Sequence, residues 1–126
     1  MAIFKGSGGE LILTGAKTIE SRFSKAKIAP FGRINRGDLV YIKPAGKDII
    51  GQFRVNKVIF FDGLDLSDLS NLRNLYESEI AMGEEYWKEK DDSRVGTLIF
   101  IGESSRFLTA PLKIPKKDLR GWVVLD

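Results

Sequence analysis

Apolar residues recur in this chain at two different spacings, and the changes of spacing divide it into elements. Ile19 and Phe23 alternate with polar neighbours over Thr18 to Phe23, which predicts a half-buried strand. Leu39-Val40-Tyr41-Ile42-Lys43 predicts a second strand, entered through the turn Gly37-Asp38. After the turn Pro44 to Asp48, residues Ile49 to Phe61 predict a long strand with alternation at Phe53, Val55 and Ile59. A strand of that length is expected to bend or bulge. Val95 to Ile101 reads as a buried strand, Ser104 to Ile114 as a further strand element ended by Pro115, and Trp122 to Leu125 as the last. Between them, Leu69, Leu72, Leu75, Tyr76 and Ile80 follow helical spacing within Leu66 to Met82. Gly83 breaks that run, and Glu84 to Lys90 predicts a second short helical turn carrying Tyr86 and Trp87. Near the start, Glu10 to Thr14 predicts a short helix closed by Gly15 just past its last turn. Ser24 to Arg36 is an extended basic loop punctuated by Pro30 and Gly32.

Many strands, a helical insert and no βαβ alternation predict a mixed α+β fold: a small β-barrel with peripheral helices. At 126 residues the chain is expected to form a single domain over 1–126. Gly6-Ser7-Gly8-Gly9 is not read as a phosphate loop, because no predicted strand precedes it and no Gly-Lys-Ser/Thr follows.

Charge alters this picture. Residues 1–62 carry eleven Lys/Arg and five Asp/Glu, and residues 63–126 carry nine and twelve. Most of the acid lies in 65–92, with nine acids against three bases, while 17–36 holds six bases and one acid. A basic body interrupted by an acidic insert favours an anionic partner on the basic side. Nine acids would repel a long duplex lying across the whole surface, so a single strand, a loop or a lone nucleotide fits better.

Composition narrows the chemistry further. With no histidine and no cysteine, Ser-His-Asp and Cys-His catalysis, imidazole or thiolate zinc sites and disulfides are all excluded. No metal site or cofactor is expected; a carboxylate-bound magnesium would need a tight Asp/Glu cluster, and none stands out beyond the helical insert. No stretch approaches the roughly 20 apolar residues of a membrane span, and no apolar leader core precedes Gly6, so a cytoplasmic location without membrane partners is the expectation. The oligomeric state is not legible.

The richest candidate site is Gly15-Ala16-Lys17-Thr18-Ile19-Glu20-Ser21-Arg22. On the predicted strand Glu20 and Arg22 share one face, Ile19 and Phe23 share the other, and Lys17 at the turn can reach over the charged side. Arg22 offers a planar fork to a phosphate or a base edge, Lys17 a point charge, and Glu20 can orient either. The competing reading is a surface ion cluster. Ser24 and Lys25, with Lys27, Arg33 and Arg36, can track a phosphate backbone beside that cleft, or can form a solvated loop. Tyr86 and Trp87 offer aromatic faces for stacking a base; alternatively Trp87 anchors the short helix to the barrel. Lys116, Lys117 and Arg120 form a second basic cluster beside Trp122, which reads as core.

The same run resembles the Gly-x-Lys-x-x-Glu-x-Arg signature of the ASCH domain, a relative of the PUA domain, filled here by Gly15, Lys17, Glu20 and Arg22. The resemblance continues through Ser24-Lys25, Ala29-Pro30-Phe31-Gly32, Gly37 to Tyr41 and Lys116 to Trp122. It implies a PUA-like barrel and, most generally, RNA or nucleotide binding through a cleft at Lys17, Glu20, Arg22, Ser24, Lys25, Tyr86 and Trp87. Other members of the family are hydrolases: amidohydrolases of N4-acetylcytidine, or ribonucleases. In the amidohydrolases the motif lysine, a threonine three residues on and a later glutamate carry the chemistry. Lys17 matches the lysine and would be catalytic with Glu20, but Glu20 stands where the threonine would be; Thr18 and Ser21 are nearby without matching. Glu77, Glu79, Glu84 or Glu85 would supply the later glutamate. A catalytic lysine needs a lowered pKa, and Arg22 and Glu20 push Lys17 in opposite directions.

Overall fold

The computed structural model of the chain describes residues 1–108 and 121–124. Five strands form one curled sheet, a half-barrel: β1 (Ala2–Phe4), β2 (Ile19–Ser24), β3 (Leu39–Pro44), β4 (Gly51–Asp62) and β5 (Val95–Arg106). Their order across the sheet is β1-β3-β4-β5-β2. Three helices accompany it: α1 (Gly8–Thr14), α2 (Leu66–Ile80) and α3 (Glu84–Glu89). The mixed α+β architecture and the expected helices and strands within residues 10–101 are present, with most ends shifted by a residue or two. No described helix is long and apolar enough to cross a membrane.

The inner faces of β3, β4 and β5 bury Val40, Ile42, Phe53, Val55 and Ile99 with Ile12 of α1. A second cluster joins Ile19 and Phe23 of β2 to Leu69, Leu72 and Ile80 of α2 and Trp87 of α3. The two apolar residues that define β2's alternation therefore seat the helical insert. Register shifts in β4 between Phe53 and Lys57 supply the bend that its length calls for.

Several expectations are corrected. β1 is absent from the pattern reading: three residues are too few to display a period, and the strand exists because it pairs in parallel with β3, Ala2 facing Ile42. A strand therefore does precede Gly6–Gly9, and α1 starts at Gly8. β5 runs on to Arg106 through the polar run Gly102 to Arg106, which hydrogen-bonds along β4 instead of opening a separate element. Gly51 permits that approach, since a Cβ there would lie 2.5 Å from the Ser105 carbonyl oxygen. Leu75, expected on α2's apolar side, is 68% exposed. Trp122 makes a single antiparallel bridge to Ala2 instead of a strand, though it is buried as expected. The expectations for 109–114, Lys116, Lys117, Arg120 and Leu125 lie outside the described residues.

Candidate functional site

The edge strands β1 and β2 face each other across the open side of the half-barrel, and Arg22 spans the gap. One guanidinium nitrogen donates to the Gly121 carbonyl at 3.0 Å; the other donates to Ile3 of β1 at 3.3 Å and to Glu20 Oε2 at 3.1 Å. The guanidinium plane lies over the rings of Phe4 and Trp122, 5.0 and 5.3 Å from their centroids. Three of its five N–H donors are taken by described residues; among the described residues the other two have no partner.

Lys17 follows the left-handed Gly15 (φ 85°) that closes α1. Backbone bonds fix the turn at both sides: Lys17 N to Leu11 O at 3.0 Å and Thr18 N to Glu79 O at 2.9 Å. The side chain then points inward, only 1% exposed, and its ammonium donates to the Ile80 carbonyl at the end of α2. A cation there satisfies an orphan carbonyl and opposes the negative end of the helix. Glu20 Oε1 lies 3.5 Å from the Lys17 ammonium and accepts from the Ser21 backbone N–H at 3.0 Å. Glu20, 5% exposed, thus sits between two cations as the hub of the set.

Lys17, expected to reach over the charged side of the strand and to belong either to a cleft or to a surface ion cluster, is not at the surface, because α2 docks over the turn and covers it. Burial is also the main influence on its titration. It pushes the Lys17 pKa down; Glu20 opposes this, and Arg22 adds a smaller lowering. The direction left open between Glu20 and Arg22 is decided by desolvation, which outweighs both.

These residues form the floor of a cleft of about 310 Å³ along the seam. Its rim carries Lys5, Tyr86, Glu89 and Lys90. The Tyr86 hydroxyl donates to the Ser21 carbonyl at 3.1 Å and lies 2.6 Å from Ser21 Oγ. Burial holds its pKa well above the usual tyrosine range. Tyr86 stays neutral and lines the cleft, with the Lys90 ammonium 5.9 Å from its ring centroid.

Other expected site residues are elsewhere. Trp87 is buried against Phe23, ring centroids 6.0 Å apart, so it anchors α3 and is not available for stacking. Lys25 is exposed and paired with Asp92 at 2.9 Å, and Lys27 with Asp62 at 2.8 Å. Ser24 donates to Ala26 O at 2.7 Å and lines a neighbouring hollow. Among the glutamates offered for the cleft, Glu77 and Glu84 pair with Arg73 and Glu79 accepts from Ser78; neither these nor Glu85 line it. Glu89 does. Its signal is present in the sequence, since it falls one helical turn beyond Tyr86 on α3. Lys5 and Phe4 carry no such signal, because β1 is too short to show one. No described Asp/Glu group is arranged to hold a metal ion.

No protein-family model matches this sequence, and no curated protein sequence does. Solved structures do resemble it. The ASCH protein of Zymomonas mobilis superposes with a TM-score of 0.61 at 16% identity, over 83% of this chain and 68% of that one. A serine-to-alanine variant of that protein gives 0.63 at 15%, over 83% and 69%, and a tyrosine-to-phenylalanine variant gives 0.61 at 16%, over 83% and 70%. At this identity the likeness concerns the backbone: the half-barrel, its strand order and its helices give this chain an ASCH-type, PUA-like fold.

Proposed function

We propose that the seam cleft binds RNA or a nucleotide. The observation that carries this reading is the set of buried Lys17 and Glu20 with half-buried Arg22 under an open, net-basic cleft. Burying Lys17 and Glu20 costs desolvation that their pairing does not fully return, so such a set is a poor device for stability alone and a good one for recognition. Arg22 retains donors for a phosphate or a base edge, Glu20 has carboxylate lone pairs for a base amino group, and Lys5 and Lys90 supply positive potential at the rim. A cysteine-free chain of this kind suits the cytoplasm. The test is titration with uridine and cytidine monophosphates and short single-stranded RNA, on wild type and Arg22→Gln. Micromolar or tighter binding that Arg22→Gln weakens at least tenfold supports the reading. Equal binding by both proteins, or none by wild type, removes it.

A hydrolase reading uses the same cleft, and the lowered pKa of buried Lys17 favours it. Against it stands the carboxylate of Glu20 where the amidohydrolase pattern has a hydroxyl. The Ser21 hydroxyl is engaged with Tyr86, which has no tendency to act as a base. Incubation with N4-acetylcytidine, following release of cytidine, is expected to give no turnover by wild type; turnover would put hydrolysis ahead of binding. Glu20→Thr restores the residue type of the pattern, at the cost of the anion that holds Lys17 and Arg22.

A further inference from the structure

The seam cleft shares lining residues with one further depression, and that one adjoins another. Arg22, Lys90 and Gly121 also line a hollow of about 180 Å³, walled on its far side by Ile28, Pro30 and Phe31. Phe31 meets Phe60 of β4 edge to face, with ring centroids 5.3 Å apart and planes at 62°. Phe60 in turn borders an open groove of about 550 Å³ between β4 and the loop before β3. Asn35, Arg36, Asn56 and Lys57 line that groove with their side chains exposed. The first two depressions share Arg22, Lys90 and Gly121 in their linings, and the second adjoins the third where Phe31 of one packs against Phe60 of the other.

We propose that these depressions form one track for a single strand of RNA longer than a dinucleotide. The proposal rests on the nucleotide-binding reading of the seam cleft and extends it to the length of the ligand. The chemistry along the track alternates as a single strand requires. Arg22 and Lys90 serve one end and Arg36 and Lys57 the other as phosphate partners. Ile28, Phe31 and the 39% exposed Phe60 offer apolar and aromatic surface to unstacked bases. The amides of Asn35 and Asn56 can donate to and accept from base edges. Two of the acids on the path are compensated: Asp62, beside Phe60 in sequence, is paired with Lys27, and Glu20 is held by two cations, while Glu89 at the rim is offset only by the net-basic lining around it. Duplex RNA keeps its bases stacked and cannot fill separate hollows.

Fluorescence anisotropy with labelled octauridylate and octaadenylate, and competition by diuridylate, tests this. The octamers are expected to bind at least tenfold tighter than the dinucleotide. Arg36→Gln/Lys57→Gln should weaken octamer binding about tenfold. It should also lower the log–log salt slope by about 1.4, at about 0.7 for each phosphate no longer neutralised. The same variant should leave the dinucleotide unaffected. Phe60→Ala should likewise weaken only the octamers, by roughly fivefold or more. If octamer and dinucleotide bind equally and the groove variants change nothing, the track is wrong while the seam-cleft reading stands. If no probe binds, both fall.

Discussion

At the scale of single residues, Lys17 illustrates how burial changes a role. Its ammonium ends α2 and neutralises Glu20 away from water. Lys17→Met should therefore lower stability by about 2 kcal/mol, less than the roughly 3–5 kcal/mol typical of breaking a buried pair, because Arg22 still compensates Glu20. Urea unfolding measures it; an unchanged midpoint would return Lys17 to the role of an exposed ligand-binding group. The titration gives a second readout. A base whose folded pKa lies below its unfolded value binds fewer protons when folded, so stability rises with pH between the two values. Wild type should accordingly gain stability relative to Lys17→Met as pH climbs from below the lowered Lys17 value towards the ordinary lysine value near 10.5. A parallel pH dependence in the two proteins would show that the lysine is not desolvated.

At the scale of elements, the helical insert and β2 are locally specified and mutually dependent. Asp65 caps α2: its carboxylate accepts from Asp68 N at 2.8 Å, and the Asp65 backbone N–H in turn donates to the Asp68 carboxylate at 3.1 Å. Asp65→Ala should cost about 1 kcal/mol, read as a lower melting temperature with ligand binding intact. Gly96 of β5 lies opposite Phe23 of β2, and a Cβ there would come within 2.7 Å of the Phe23 ring. Gly96→Ala should cost about 1–3 kcal/mol by displacing that ring from the core beneath the site. A fully stable Gly96→Ala protein would mean that Phe23 moves freely and that β2 is not held as described. Helix boundaries were legible because caps and apolar spacing are local signals. β1 and the polar end of β5 were not, because their only specification is the strand beside them.

At the scale of the molecule, two features set the field that a ligand meets: the acidic segment 65–92 and the curled sheet whose seam lies beside α3. Single-stranded RNA should bind more tightly than duplex DNA of equal length, and affinity should fall steeply with salt if several phosphates are held. Filter binding or anisotropy at several salt concentrations checks both. Salt-independent affinity, or equal affinity for long duplex DNA, would count against phosphate recognition across this face. The division of charge could be counted along the chain. The pairing of Lys25 with Asp92 and Lys27 with Asp62 could not; among the described residues Lys5, Lys90, Arg36 and Lys57 are cations outside any ion pair.

Local chemistry dictated the stop of α1 at Gly15, the alternation that places Glu20 and Arg22 on one face of β2, the start of α2 at its cap, and the exclusion of histidine and cysteine chemistry. Those properties depend on composition or on neighbours within a few residues. The burial of Lys17, the removal of Trp87 from the cleft, the entry of Glu89 and Lys5 and the clasp of Arg22 arose from folding. Lys17 meets Ile80 across 63 residues and Arg22 meets Gly121 across 99. A spacing of apolar residues encodes which side of an element avoids water. It does not encode which distant element arrives to cover that side, and that arrival separates a solvated charge from a buried one.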